Sequence, residues 1–285
     1  MMKPIVLPFR LARRGVGAAI ALSFLFGTAM VGAAIQVQVK RSIVIRQMTG
    51  QVSYRSGNRT QGAAVGTQLQ KVGDSLQTGP RSSATLSVDT DIGFIKMAEK
   101  TNLQVQTLRS TPDGGKITQL QVTAGQARLQ LRPFTHTSSR LQVKTPAGVS
   151  GVRGTEFGVG VQASGKTGVA TLTGSVVTEA QGRSVVVSAG TQNLTLPGEP
   201  PTPAVPLRDD PSMQLDYVYP ISGQTVSLRG RTDPVNVVAV NGQPQTSDRN
   251  GAFAAIAPIL PDQKVRVLIT TPLGKQQEYV FDRPR

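Results

Sequence analysis

The stretch Thr145-Pro-Ala-Gly-Val-Ser-Gly-Val-Arg-Gly-Thr-Glu-Phe157 decides the fold that we predict for this chain. Pro146 holds the residue before it in an extended conformation, and the three glycines permit backbone turns that a side chain would oppose. Phe157 begins an alternation of apolar residues with polar residues or glycine, which is typical of a half-buried strand. The stretch therefore predicts a strand, a glycine corner and a second strand, with Arg153 and Glu156 pairing across the corner.

Short alternating runs on both sides of this stretch predict further strands. In Ala127–Arg132 the apolar residues occupy every second position and polar or basic residues occupy the others, so the two sets face opposite sides of a strand. The same pattern recurs in Gln51–Tyr54, Ala84–Val88, Leu103–Gln106 and Leu141–Lys144. Because no segment after Ile35 combines helical length with helical spacing of apolar residues, we predict an all-β fold.

Three further segments, together with the Thr145–Phe157 stretch, resemble the FecR-type domain, the periplasmic domain of iron-dicitrate regulators. They are Val72–Leu86, Val122–Leu129 and Leu172–Val177. The resemblance implies a β-helical or jelly-roll-like FecR-like β domain over residues 45–196. The family signature falls here on Thr145, Pro146, Val152, Arg153, Gly154, Thr155, Glu156 and Phe157. We interpret these residues mainly as structural ones, and a direct contact role is the alternative.

The N-terminus has the pattern of an export segment. Basic residues precede Gly15–Ile35, an uncharged and largely apolar run that ends near small residues. Residues 1–35 are therefore predicted to be a cleaved signal peptide or an uncleaved membrane-anchor helix, and both alternatives place the remainder outside the cytoplasm. The resembled regulators contact a sigma factor through a cytoplasmic region, for which residues 1–14 are too short, so we expect this chain to need another protein for signalling.

Composition narrows the classes of function. The chain of 285 residues has no cysteine and one histidine, His136, which excludes thiol catalysis and a multi-histidine metal site within one chain. We expect no catalytic residue, no cofactor and no metal. The net charge of +15 favours an anionic partner, and the basic residues of one predicted face are Arg128, Arg132, Arg140 and Lys144. No nucleic-acid-binding motif appears, so we expect a protein or an envelope polymer as partner rather than a nucleic acid.

A second unit is predicted after a proline-rich linker. Residues 197–211 contain six prolines, and this composition favours a semi-rigid extended segment. Residues 212–285 contain short strands separated by turn residues, including the hairpin signal Asn241-Gly242. Their order of Gly-Arg-Thr-Asp-Pro, Val-Asn-Gly and Asp-x-Asn-Gly-x-Phe resembles bacterial immunoglobulin-like modules, which implies a small immunoglobulin-like β-sandwich that acts as a spacer or an adhesive unit.

One motif resembles a nucleotide-binding loop, but we interpret it as structural. Gly160-Val-Gln-Ala-Ser-Gly-Lys-Thr167 fits the phosphate-loop pattern, but a phosphate loop must be followed by a helix. The residues that follow, Gly168–Gly174, are β-branched and bounded by glycines. We therefore predict a hairpin loop between two antiparallel strands and no nucleotide binding.

These observations lead to two hypotheses of function. In the first, the chain is an exported, non-enzymatic protein of the cell envelope whose FecR-like domain binds a ligand or a protein partner. In the second, it is an anchored relative of the FecR sensor with a role in transmembrane signalling or sigma-factor regulation. A glycan-binding module is a third alternative, disfavoured because the chain has no tryptophan and only four tyrosines.

Overall fold

Alternation of apolar and polar residues produces strands throughout the part of the chain that the structure describes. A computed structural model describes residues 41–90 and 92–282, and within these ranges it contains strands and turns but no helix. The all-β prediction is confirmed. The predicted signal or anchor segment, residues 1–35, lies outside the described residues.

Seventeen strands build the N-terminal lobe. They are β1 (Ile43–Thr49), β2 (Val52–Ser56), β3 (Arg59–Gly62), β4 (Gln68–Leu69), β5 (Ser75–Thr78), β6 (Ser83–Val88), β7 (Gly93–Met97), β8 (Asn102–Ser110), β9 (Lys116–Leu131), β10 (Arg140–Lys144), β11 (Val149–Val152), β12 (Glu156–Val161), β13 (Thr167–Thr173), β14 (Ser175–Ala180), β15 (Arg183–Ser188), β16 (Thr191–Thr195) and β17 (Val205–Pro206).

The strands form two facing sheets. Sheet A has the order β4-β1-β6-β7-β9-β12-β13-β16-β17. Sheet B has the order β3-β2-β5-β8-β9-β10-β11-β14-β15. Every pair is antiparallel except β9 with β10, which agrees with the jelly-roll-like alternative of the prediction.

The long strand β9 belongs to both sheets. Its first half pairs with β8 and β10 in sheet B, and its second half pairs with β7 and β12 in sheet A. The chain passes from one sheet to the other near Gly125, whose φ is +83° and whose missing side chain leaves room for Thr101. Between the sheets lies one apolar core, in which Phe157, Ile95 and Leu129 of sheet A pack with Leu103 and Leu141 of sheet B.

Seven strands form the C-terminal lobe. They are β18 (Met213–Ser222), β19 (Thr225–Thr232), β20 (Val237–Val240), β21 (Gln243–Gln245), β22 (Ala252–Pro258), β23 (Lys264–Thr270) and β24 (Gln276–Asp282). One sheet has the order β18-β19-β22 and the other β21-β20-β23-β24, with a shared apolar core. The first, second and fifth strands of this lobe thus face the third, fourth, sixth and seventh.

The hairpin predicted at Asn241-Gly242 joins β20 to β21. Both residues have positive φ, 49° and 72°, as a type I′ turn requires. Asn241 also accepts a hydrogen bond from the backbone N–H of Arg266 and donates one to the carbonyl of Pro258. The turn therefore anchors the neighbouring strands as well as reversing the chain.

The proline-rich segment 197–211 does not hold the lobes apart. It contains β17, which pairs with β16 at the edge of sheet A. The Thr202 side chain accepts a hydrogen bond from the backbone of Leu194, and its carbonyl accepts a weaker one from Asn193. The segment lies along the N-terminal lobe, and the described residues of both lobes form one compact unit.

Candidate functional site

The corner between β11 and β12 is closed by backbone contacts. Gly154 has a φ of +101°, and a Cβ at this position would lie 2.3 Å from the Cα of Pro133. Only glycine fits there without a backbone shift. The guanidinium of Arg153 donates a hydrogen bond to the carbonyl of Thr137 at 2.7 Å. The corner therefore holds the loop that connects β9 to β10.

The charge pair expected between Arg153 and Glu156 is not formed. Glu156 instead accepts a hydrogen bond from the Nε of Arg128 at 3.0 Å, from the neighbouring strand β9. In the antiparallel register Glu156 lies opposite Gln130, so Arg128 is its diagonal neighbour on the outer face of sheet A. Arg153 lies before the corner, where the carbonyl of Thr137 is the acceptor within reach.

The other signature residues are mostly interior. Thr145, Val152, Thr155 and Phe157 are buried. The hydroxyl of Thr145 bonds that of Thr167 at 3.0 Å, which links the signature to the next strand. Pro146 is exposed and lies against Gly165, where a Cβ would come within 2.8 Å of the proline ring. These contacts all lie within the signature's own lobe.

The four basic residues predicted to share a face lie on different sheets. Arg128 belongs to the part of β9 in sheet A, and Arg132 follows it directly. Arg140 and Lys144 belong to β10, which pairs with the part of β9 in sheet B. Because β9 turns from one sheet to the other, residues that are close in sequence separate in space. The prediction of a single anionic-partner face from these residues is therefore wrong, and Arg128 is in addition paired with Glu156.

A glycine-rich patch on the outer face of sheet A contacts the C-terminal lobe. Gly158 and Gly160 of β12 lie beside Ala170 and Gly168 of β13. A Cβ on Gly158 would come 1.8 Å from the carbonyl oxygen of Pro272, and one on Gly168 would come 2.5 Å from that of Val235. Glycines at alternate positions of this hairpin therefore allow two loops of the other lobe to reach the sheet backbone.

We call the contact between the two lobes the joint. The loop after β12, which contains the phosphate-loop pattern, forms its polar part. Gln162 and Lys166 are both buried. The Gln162 amide donates to the carbonyl of Asn236 at 2.6 Å and accepts from the backbone N–H of Ser247 at 2.8 Å. The ammonium of Lys166 donates to the hydroxyl of Ser247 and the carbonyl of Asp248, each at 2.7 Å.

Burial changes the acidity of Lys166. Loss of hydration lowers the pKa of its ammonium to about 8, although the carboxylates of Asp248 and Asp233 act in the opposite direction. Thr167 begins strand β13, antiparallel to β12, and no helix follows the loop. The predicted hairpin is confirmed. The lysine that would contact a phosphate is instead bonded within the joint.

Further contacts extend the joint along sheet A. The Gln126 amide donates to the carbonyl of Pro272 at 2.6 Å, and Arg128 reaches the carbonyl of Leu273. The Gln192 amide contacts the Asp233 carboxylate at 3.1 Å. Two open clefts flank the joint, one of about 770 Å³ that includes Arg81, Lys96 and Glu278, and one of about 630 Å³.

His136 lies near a serine and an aspartate, but the hydrogen bonds do not form a catalytic relay. The hydroxyl of Ser138 donates to the carboxylate of Asp113, and the Nδ1 of His136 accepts from the backbone N–H of Ser138 at 3.3 Å. A nucleophilic serine would instead be bonded to the imidazole. These contacts fix the turn before β10.

Residues 41–90 and 92–282 contain no cluster of three or more His, Asp or Glu side chains that could ligate a metal ion. In the same ranges, no helix has the length and apolar character needed to cross a membrane.

A family comparison identifies the central part of the N-terminal lobe. Residues 74–177 match the model of the family described as FecR protein. This part of the chain is similar to FecR proteins. The match includes the signature corner and β9, and it falls within residues 45–196, the range predicted for the domain. None of the curated protein sequences matches the chain significantly.

Two solved structures of a candidate anti-sigma factor from Parabacteroides distasonis are similar to part of the chain. Their sequence identities to it are 15% and 14%, and the TM-score is 0.39 for both. Each alignment covers 48% of this chain and 60% of that protein, so less than two thirds of the neighbour's length is matched. Similarity at this level does not establish a shared function.

The joint is the feature that sequence reasoning missed. The alternation of Gly158 and Gly160 with apolar residues was visible, but it predicted only a strand with one buried face. Its partners, Pro272 and Val235, lie far along the chain. An outer face of glycine and alanine on adjacent strands is the available signal, because such a face leaves the backbone open to close contact.

Proposed function

We propose that this chain is a non-enzymatic FecR-type regulatory protein that acts through a protein partner outside the cytoplasm. The match of residues 74–177 to the FecR family is the observation that carries the proposal. It favours the second of the two hypotheses, a role in transmembrane signalling or sigma-factor regulation, over a binding role without signalling.

The contacts of the candidate chemical groups support a role in binding rather than catalysis. Lys166 is bonded to Ser247 and Asp248 in the joint, and Ser138 donates its hydroxyl proton to Asp113. The lysine of the phosphate-loop pattern and the serine beside the single histidine are thus both held by contacts within the fold.

An extracytoplasmic location is part of the proposal. Its support is the predicted export segment, residues 1–35, together with the periplasmic location that the family resemblance implies. A phosphatase that is active only outside the cytoplasm, fused to the C-terminus of the full chain, tests this point. We expect activity in cells, and a silent fusion of normal abundance would contradict the location.

Transcription tests the regulatory role. We expect deletion of the gene to change the transcript levels of a group of genes that share a sigma-factor promoter, and the full chain to restore them. The Gly154→Val variant, which disrupts the signature corner, should fail to restore them. If deletion leaves transcription unchanged under conditions in which the protein is present, the first hypothesis of a binding protein without signalling replaces this one.

A further inference from the structure

The C-terminal sandwich leaves one face of a sheet uncovered. The inward residues of β18, β19 and β22 contribute to the buried core, among them Leu228 and Phe253. On the outer face, Tyr217, Tyr219 and Ile256 have exposed fractions of 38%, 48% and 72%. Ile221, in a bulge of β18, is 52% exposed. We name these four residues the tyrosine face.

Strand register brings the tyrosine face together. Tyr219 lies opposite Ser227, which lies opposite Ile256, so the three form one row across the sheet. Tyr217 lies opposite Arg229 in the adjacent row. The rings of the two tyrosines have centroids 5.0 Å apart and planes tilted by 34°. The apolar side chains therefore form one contiguous surface and are not scattered singly.

The composition of this surface is typical of a protein interface. Tyrosine and arginine are the residues enriched at positions where interfaces lose most affinity on truncation. Tyr279 provides a contrast, because it is half-buried and its hydroxyl accepts a hydrogen bond from the backbone of Met213. Its role is internal, whereas the rings of Tyr217 and Tyr219 are directed to solvent.

The arginines beside the tyrosine face favour an acidic partner over a second copy of this chain. Arg229 is beside the tyrosine face with its side chain 52% exposed, and its contact with Asp216 is a loose one of 3.6 Å. Arg231, in the next outward position of β19, is also exposed. A second copy packed about a two-fold axis would place these arginines near their own counterparts. An acidic partner would instead pair with them, and the net charge of +15 would accelerate its approach.

The same face continues into a cleft. Arg229 and Ala254 line the opening of about 630 Å³ at the joint, together with Pro197 and Glu199 of the proline-rich segment and Arg249. An extended segment of a partner therefore has a path from the apolar surface to a recess lined by Arg229 and by Arg249, whose guanidinium is bonded to Glu199 at 2.8 Å. A sugar is a poorer fit, because the tilted tyrosine rings contact one another and present no flat platform.

We propose that the tyrosine face, with Arg229 and Arg231, is the docking surface for an acidic protein whose contact segment combines apolar side chains with carboxylates. The inference rests on the proposed function only in taking the partner to be a protein. It adds the chemistry of the partner and the location of the docking surface, which lies outside the FecR match at residues 74–177.

Photocrosslinking in cells tests the surface. A photoreactive amino acid is placed in the full chain at position 219, 256 or 186, where Val186 is 57% exposed on the other lobe and serves as the matched control. We expect the same acidic protein to be captured at 219 and 256 and not at 186. Capture of nothing above the control, of a second copy or of a glycan at the first two positions would overturn the proposal.

Binding by the purified captured protein supplies the second test. Arg229→Glu and Tyr219→Ser in the full chain should each weaken its affinity by roughly tenfold or more, whereas Lys264→Glu on the other sheet should change it little. Unchanged affinity in both variants, with the unfolding transition of each variant preserved, would overturn the proposal. Transcription that does not respond to gene deletion, alongside an intact crosslink, would refute the regulatory role and leave this surface standing.

Discussion

The ammonium of Lys166 lies 2.7 Å from the hydroxyl of Ser247, so a lysine of the N-terminal lobe is buried among atoms of the C-terminal lobe. The two residues are 81 positions apart in sequence. This contact is part of the joint. In the same joint, a glycine-lined patch of the N-terminal lobe packs against two loops of the C-terminal lobe. The joint makes the lobes one unit, and it is therefore the first target for mutation.

The glycine patch should be sensitive to a single added side chain. In Gly158→Val the new atoms would overlap the carbonyl of Pro272, since even a Cβ would come within 1.8 Å of its oxygen. We expect a loss of about 1–3 kcal/mol in the free energy of unfolding, the usual cost of overpacking, and faster proteolysis within residues 197–211. Denaturant titration and timed digestion measure the two effects.

Gly151→Ala is the matched control for this variant. Gly151 lies in β11, and a Cβ there would meet no atom within 4 Å. Its stability and digestion rate should equal those of the natural chain or improve slightly. Equal behaviour of Gly158→Val and Gly151→Ala would show that the patch is not needed for docking of the lobes.

The buried lysine should give the joint a characteristic pH dependence. The pKa of Lys166 is lowered to about 8 from a reference of 10.5, mainly by burial. Between these pH values the unfolded chain binds more protons than the folded one, so stability from this group rises with pH. We expect the unfolding free energy of the natural chain, minus that of Lys166→Met, to increase from pH 7.5 to pH 10.

An exposed lysine provides the comparison for that measurement. Lys264 has a side chain that is 42% exposed, so its ammonium keeps much of its hydration on folding. Lys264→Met therefore controls for removal of a lysine charge that is not buried. A flat difference for Lys166→Met would contradict the buried location of its ammonium.

The signature corner should depend on glycine for two separate reasons. Gly154→Ala introduces a side chain at a φ of +101° and also places its Cβ 2.3 Å from Pro133. We expect a loss of more than about 2 kcal/mol in unfolding free energy, since backbone strain and a steric clash add together. Thermal and denaturant unfolding both report it.

Gly182 separates the two causes. It has a φ of +69°, but a Cβ there would meet no atom within 4 Å. Gly182→Ala should therefore suffer only the conformational cost, about 1 kcal/mol. If Gly154→Ala costs no more than Gly182→Ala, the close approach to Pro133 does not matter for stability.

Asp74, within the FecR match, should control the response of the domain to acid. Burial opposes its ionisation, but hydrogen bonds from the Ser56 hydroxyl and the backbone N–H groups of Lys71 and Gln70 leave its pKa lower than 3.8. Its contribution is therefore present above pH 3.8 and is lost as the pH falls through the folded-state pKa. Asp74→Asn should cost roughly 1–3 kcal/mol at neutral pH and flatten the acid limb of the stability curve.

Asp282 is a suitable control because its side chain is 90% exposed and lies 3.9 Å from Lys264. Asp282→Asn should leave the stability at neutral pH nearly unchanged, because exposed ion pairs contribute little. An acid limb in Asp74→Asn as steep as that of the natural chain would show that other carboxylates carry the pH dependence.

Local patterns predicted much of the fold from sequence. The alternation in Ala127–Arg132 predicts which side chains face the core, and Ala127, Leu129 and Leu131 are buried as expected. The turn at Asn241-Gly242 and the hairpin around Lys166 were also predicted correctly. Each of these depends on contiguous residues, whose backbone preferences and side-chain period act whatever surrounds them.

Contacts between distant residues were not predicted. The sequence by itself determined several strands and turns and the similarity of residues 74–177 to FecR proteins, because those signals lie in contiguous residues. Only the tertiary structure decided that Arg128 pairs with Glu156 and that Lys166 is buried against Ser247. The physical reason is that these contacts join residues far apart in the chain, and the local period of side chains, which predicts strands and turns, does not specify a distant partner.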